Sequence, residues 1–151
     1  MLRTQLNDEL KNALRRQDKP TIATVRLILA ALKDRDIAAR GEGNSEGIDE
    51  EEIQRMLQKM ARQSREAAET YQQAGREDLA EKERKEVAII ERFLPRQLDE
   101  AETHVAVDAV IADLGAESVK DMGKVMNRLR ETYAGRMDFS KASALAKERL
   151  K

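Results

Sequence analysis

Apolar residues in this chain recur at intervals of three and four, segment after segment. The segments are punctuated by Asp49 with Glu52, Asp99 with Glu102 and Ser118 with Asp121 at their starts, and by Gly75, Gly115 and Gly135 at their ends. A three-to-four period is that of a helix, an acidic residue three places after Asp or Ser resembles a capping box, and glycine supplies the left-handed stop. Strands call for aromatic and β-branched residues. Here Ala, Leu, Glu, Lys, Arg and Gln dominate, and the only aromatics are Tyr71, Phe93, Tyr133 and Phe139. The fold class expected is all-α.

The spacing predicts seven helices. The first, over Leu2–Gln17, aligns Leu2, Leu6, Leu10, Ala13 and Leu14. The second, over Pro20–Ala39, has a wide face of Ile22, Val25, Ile28, Leu29 and Leu32; proline suits its first turn because the missing N–H has no partner there. After the glycine-rich loop 41–47, the third carries Ile53, Leu57, Met60, Ser64, Ala67, Tyr71 and Ala74, which alternates four and three like a heptad seam. The fourth presents Leu79, Glu83, Val87, Ile90 and Leu94, so the two read as a long antiparallel hairpin or a bent rod. Pro95 disfavours helix at Leu94 and marks a boundary. Beyond it, a fifth helix carries Val107, Val110, Ile111 and Leu114. The sixth, capped by Ser118, carries Met122, Val125, Met126, Leu129 and Tyr133. The seventh, capped by Asp138, carries Ala142, Leu145, Ala146 and Leu150. The expected organisation is an N-terminal domain of about four helices (1–94) and a C-terminal three-helix domain (95–151).

Charge sorts along the chain although the whole sums to −1. Residues 1–40 carry +4, 41–75 carry −4, 76–94 carry −1, 95–117 carry −5 and 118–151 carry +5. The last segment holds Lys120, Lys124 and Arg128 at four-residue spacing, one stripe on a helix, with Arg136 and Lys141 beyond the Gly135 turn. Such a stripe can neutralise successive phosphates, and Gly123 within it would let a backbone or phosphate approach. The plainer reading is a solvated helix face, with Gly123 as a packing contact.

Other chemistry is thin. Glu100, His104 and Asp108 share a helix face, but one imidazole with two mobile carboxylates is a poor metal site, and a surface histidine is the better reading. Met122, Met126 and Met137 could form an adaptable groove, yet their spacing is that of ordinary core. The serines lack a nearby histidine, no phosphate-binding glycine loop occurs, and the carboxylates at 49–52 suit a helix start. No catalytic residue, metal site or cofactor is expected. Without cysteine there are no disulfides, and no apolar run reaches membrane length. Met1 to Leu14 reads as an amphipathic helix rather than a signal peptide, so the expected location is cytoplasmic.

Several stretches resemble one family. Lys120-Asp121-Met122-Gly123-Lys124-Val125-Met126 and Gly135-Arg136-Met137-Asp138 are similar to YqeY-like proteins and to the tail of the B subunit of tRNA-dependent amidotransferases. So are the runs 26–33, 75–83 and 93–98, in the same order. The resemblance implies that the C-terminal domain is a module that contacts tRNA or other structured RNA, through Lys120, Lys124, Arg128, Arg136 and Lys141, with close backbone approach at Gly123 and Gly135. It also implies a link to an amidotransferase or tRNA-charging complex. Taken alone it would imply a carbon–nitrogen ligase with glutamine as amido donor, but neither a glutaminase signature nor an ATP-dependent kinase-like domain is visible. Met137 and Phe139 depart from the small residues usual in the family at that turn. The alternative is a helical protein–protein adaptor that uses the seam of helices three and four, which needs an exposed apolar strip on helix three.

Overall fold

A computed structural model describes all 151 residues. It is built of helices with no strand: α1 (Leu2–Arg16), α2 (Lys19–Gly41), α3 (Glu50–Gln73), α4 (Glu77–Glu91), α5 (Glu100–Leu114), α6 (Met122–Thr132) and α7 (Phe139–Arg149). A 3-10 turn over Val119–Asp121 leads into α6. The chain forms two compact units, residues 1–95 and 96–151. No helix is long and apolar enough to cross a membrane.

The helix starts are chemically specified. Asp18 accepts the Thr21 N–H and hydroxyl, at 3.3 and 2.8 Å. Asp49 accepts the Glu52 N–H at 2.9 Å. Asp99 and Glu102 cap reciprocally, at 2.7 and 3.2 Å. Each of these capping residues satisfies a backbone N–H that the helix itself cannot, worth about 1 kcal/mol per cap. Gly75 and Gly115 end α3 and α5 with φ of 76° and 63°.

In the first unit α3 and α4 form an antiparallel hairpin, α1 packs on α2, and α2 packs on α4. Leu2, Leu6, Ile28, Leu32, Ile53, Met56, Leu57, Ile90 and Leu94 make the core. The heptad reading of α3 needs correction. Its buried residues are Ile53, Met56, Leu57, Ala61 and Ala68, while Ala74 is exposed. A straight helix drifts away from a strict seven-residue repeat. α3 also contacts both α4 and α2, which broadens the buried face beyond a two-stranded seam. Leu14 is likewise exposed, although it continues the apolar pattern of α1.

One polar cluster locks this unit. The Arg3 guanidinium donates to both Asp36 oxygens, at 2.6 and 2.8 Å, and to the Ile48 carbonyl at 2.8 Å. Asp36 also accepts the Ile48 N–H at 3.0 Å. Gly47 turns beside it with φ of 84°, so close that an added Cβ would lie 2.3 Å from Asp36 Oδ1. The Glu50 carboxylate accepts the Leu2 N–H at 2.9 Å. Together these bonds hold the start of α1 against α2 and the loop into α3.

In the second unit α5, α6 and α7 pack pairwise around Val107, Val110, Val125, Met126, Leu129, Met137, Ala142, Ala146 and Leu150. The methionines fill this core rather than opening a groove: Met137 is fully buried and Met126 nearly so.

Candidate nucleic-acid interface

The single sixth helix expected after Ser118 is two pieces. Ser118 and Asp121 form their reciprocal cap on the 3-10 turn, and the α-helix starts only at Met122. A 3-10 turn has about three residues per turn instead of 3.6. Lys120 lies on that turn, so four-residue spacing describes a straight stripe only from Lys124 to Arg128.

Lys120, Lys124 and Lys141 are exposed. The ion pairs of this unit are Arg96–Glu102 at 2.6 Å, Arg128–Asp113 at 2.8 Å and Arg149–Asp108 at 2.9 Å. The three lysines therefore stand without an ion pair, whereas Arg128 is held by a carboxylate of α5. Arg149 also faces His104 Nδ1 at 3.4 Å, which ties the lone histidine to α7. The structure contains no group of three His, Cys, Asp or Glu residues placed to share a metal ion.

The Gly135 turn is built differently from the stripe. Gly135 is buried with φ of 74°. Its carbonyl accepts from the Gln97 side chain at 2.5 Å, and the Arg136 carbonyl accepts the Leu98 N–H at 2.8 Å. Arg136 Nε donates to the Arg96 carbonyl at 3.2 Å, and its guanidinium lies 5.9 Å from the Tyr133 ring centre. The turn is thus occupied with binding residues 96–98. The following helix start is also engaged, because Asp138 accepts the Ser140 and Lys141 N–H groups at 3.0 and 3.3 Å. Met137 enters the core and Phe139 packs at its margin, which accounts for bulky residues at this turn. Gly123 differs again: it is exposed, and a Cβ there would meet nothing within 4 Å. The packing explanation for that glycine does not hold.

The electrostatics of the unit are lopsided. α5 carries Glu100, Glu102, Asp108 and Asp113 and no Lys or Arg. The segment 118–151 carries nine basic and four acidic residues. Two of those four are spent on backbone donors. Asp138 caps α7, and Asp121 accepts the Glu117 and Ser118 N–H groups at 3.0 and 3.4 Å. Those two backbone bonds hold the Asp121 carboxyl below its ordinary value, and Lys124 adds to the effect. What remains toward solvent on α6 and α7 is a surplus of cations, a distribution that attracts polyanions. Sequence reading had no signal for the Arg128–Asp113 pair, which joins residues fifteen apart on two helices.

A curated relative from Pyrenophora tritici-repentis, named altered inheritance of mitochondria protein 41, mitochondrial, is 27% identical over 135 residues, 87% of this chain and 71% of its own length. The protein of the same name from Lachancea thermotolerans is 30% identical over 112 residues, 74% of this chain and 57% of its own length. Both names place those relatives in mitochondria, and that overturns the expectation of a cytoplasmic location drawn from the missing cysteines, the lack of a membrane-length run and the amphipathic first helix. Missing cysteines and an amphipathic first helix do not tell the cytoplasm from the mitochondrion. The family described as Yqey-like protein matches residues 3–150, all but the extreme ends of the sequence, and the chain belongs to that family.

Proposed function

We propose that the second unit binds structured RNA of the tRNA class, and that the protein acts as an accessory factor through this contact rather than through a catalytic centre. The observation that carries the reading is the separation of charge between an acidic α5 and the basic α6 and α7, where Lys120, Lys124 and Lys141 are exposed without ion pairs. Phosphate neutralisation needs such uncommitted cations. Base stacking would need aromatics, and this unit has only Tyr133 and Phe139, both half-buried against its core. Recognition is therefore by backbone and shape. Arg128 joins only by leaving Asp113, and Arg136 contributes from a fixed position.

The test is the salt dependence of tRNA binding. Replacing Lys120 and Lys124 together by Ala should flatten the slope of log affinity against log salt by about two units. Arg128→Ala should change it less, because its pair with Asp113 must first be broken. Circular dichroism should show both variants folded. Equal salt slopes for the double variant and the wild type, or no tRNA binding by either at low salt, would reject the reading.

A further inference from the structure

The α3/α4 seam is closed by the protein's own packing, with Ile53, Leu57 and Ala61 buried in the same core as Ile90. Beside that seam, however, α2, α3 and α4 enclose an open groove of about 500 Å³. Leu27, Ala31, Met56, Met60, Ala67 and Ile90 give it an apolar lining. Leu27 is 54% exposed, a large apolar side chain left open to solvent.

Charge is placed at the two ends of the groove. Glu83 and Glu86 line it from α4, opposite Ser64 and Ala67 near the hairpin tip. Lys59, about 12 Å along α3 from Ala67, and Arg35, about 16 Å along α2 from Thr24, line the other end. None of these four has an ion-pair partner, whereas neighbouring charges do: Arg65 pairs with Glu91, and Arg84 with Glu77 and Glu81. Burial raises the Glu86 carboxyl above its ordinary value, and the adjacent Glu83 adds to this. Lys82 and the Ser64 hydroxyl offset this only in part, so the half-buried carboxylate pair, which has no ion pair, would be relieved further by an incoming basic group.

We propose that this groove is the docking site for an amphipathic helix of a partner protein, with a basic residue at one end of its apolar stripe and an acidic residue at the other. The groove walls are helices, which offer no unpaired strand edge, so an extended segment would leave its backbone N–H and C=O groups over an apolar floor. A helix satisfies its own backbone and presents side chains at three- and four-residue intervals. The Met56–Ala67 stretch of α3 spans about 16 Å, so the occupant makes contact over roughly three turns. Its basic end lies on Glu83 and Glu86 and its acidic end on Arg35 and Lys59. Met60, half-buried where it lines the groove, adapts to the occupant's side chains.

The test uses the full chain and a displayed library of random, helix-biased peptides of about 18 residues, long enough to hold helix. Enriched sequences should carry an apolar stripe at helical spacing with Lys or Arg at one end and Asp or Glu at the other. Their affinity should fall about tenfold or more on Met60→Glu and on Leu27→Ser, as for a central contact. Leu27→Ser guards against misfolding, because an exposed side chain is not needed for the core. Selection against Glu83→Lys with Glu86→Lys should return peptides acidic at both ends. No enrichment over a blank surface, polybasic sequences lacking an apolar stripe, or clones that bind Leu27→Ser unchanged would each overturn the proposal. RNA binding by the second unit is not involved in any of these outcomes.

Discussion

Glycine at position 123 costs the protein stability without helping it pack. It is the second residue of α6; in a helix interior glycine is worth roughly 0.5–1 kcal/mol less than alanine, which bounds the cost in this first turn, and nothing stands within 4 Å of an added Cβ. Gly123→Ala should therefore raise the unfolding free energy by up to about 0.5–1 kcal/mol in denaturant titration. If a phosphate approaches the α6 backbone there, the same variant should bind tRNA more weakly while being more stable. A loss of stability would mean that the glycine has a conformational role instead. Asp36 is a second residue whose surroundings set a measurable outcome. Hydrogen bonds from Arg3 hold its carboxyl at about 2, with the Ile48 N–H assisting against the opposing effect of burial. An unfolded aspartate titrates near 3.9, so the folded form binds its proton less readily. The resulting stabilisation is fully present above about pH 4–5 and is lost as pH falls through 2. Its size is on the order of 1–2 kcal/mol, reduced by the partial exposure of Arg3. Asp36→Asn should accordingly melt below the wild type at neutral pH, and the gap should narrow between pH 5 and pH 2. A gap that stays constant across this range would show that the charge of Asp36 does not matter.

At the level of helices, the largest single test is Leu57. It is fully buried on α3, between the hairpin partner and the rest of the first core. Leu57→Ala should cost about 2–5 kcal/mol, read as a shift in denaturant midpoint at unchanged slope. A loss well below 1 kcal/mol would mean that this side of α3 is not packed in solution. The helices themselves were readable because their signals are local. Asp49, Asp99 and Asp138 bond N–H groups two or three residues away, and Gly75 and Gly115 act through their own φ. What depends on separation in sequence was not readable. The heptad assigned to α3 missed Met56, Ala61 and Ala68 because the period cannot say how many neighbours a helix has. The Arg3–Asp36–Ile48 lock joins residues up to 45 apart and leaves no pattern beyond a glycine-rich loop. The candidate interface divides the same way. The exposed lysines at 120, 124 and 141 follow from charge spacing, whereas the capture of Arg128 by Asp113 and the burial of Gly135 come from tertiary packing.

For the molecule as a whole, the question is whether its two units are thermodynamically separate. Each has its own core, and no residue is shared between the two buried clusters. The second unit begins at Arg96 with its own fastening: the Arg96 guanidinium reaches Glu102 at 2.9 and 2.6 Å, next to the Asp99 capping box, and Gln97 and Leu98 bond the Gly135–Arg136 turn. These contacts join the first residues of the unit to the loop before its last helix, so the unit is closed on itself. Small helical units of this size are marginal, because a short chain buries a lower fraction of its surface. A fragment of residues 96–151 should nevertheless give a helical circular-dichroism spectrum and a cooperative thermal transition. It should also bind tRNA with the salt slope of the full chain if the basic helices carry that contact. Substituting Gln97 by Ala in the fragment should lower its transition, since the Gly135 carbonyl is then left without that donor. A fragment without a thermal transition would show that the second core depends on residues 1–95 for its stability. A fragment that folds but fails to bind tRNA, while the full chain binds, would instead move the RNA contact away from α6 and α7.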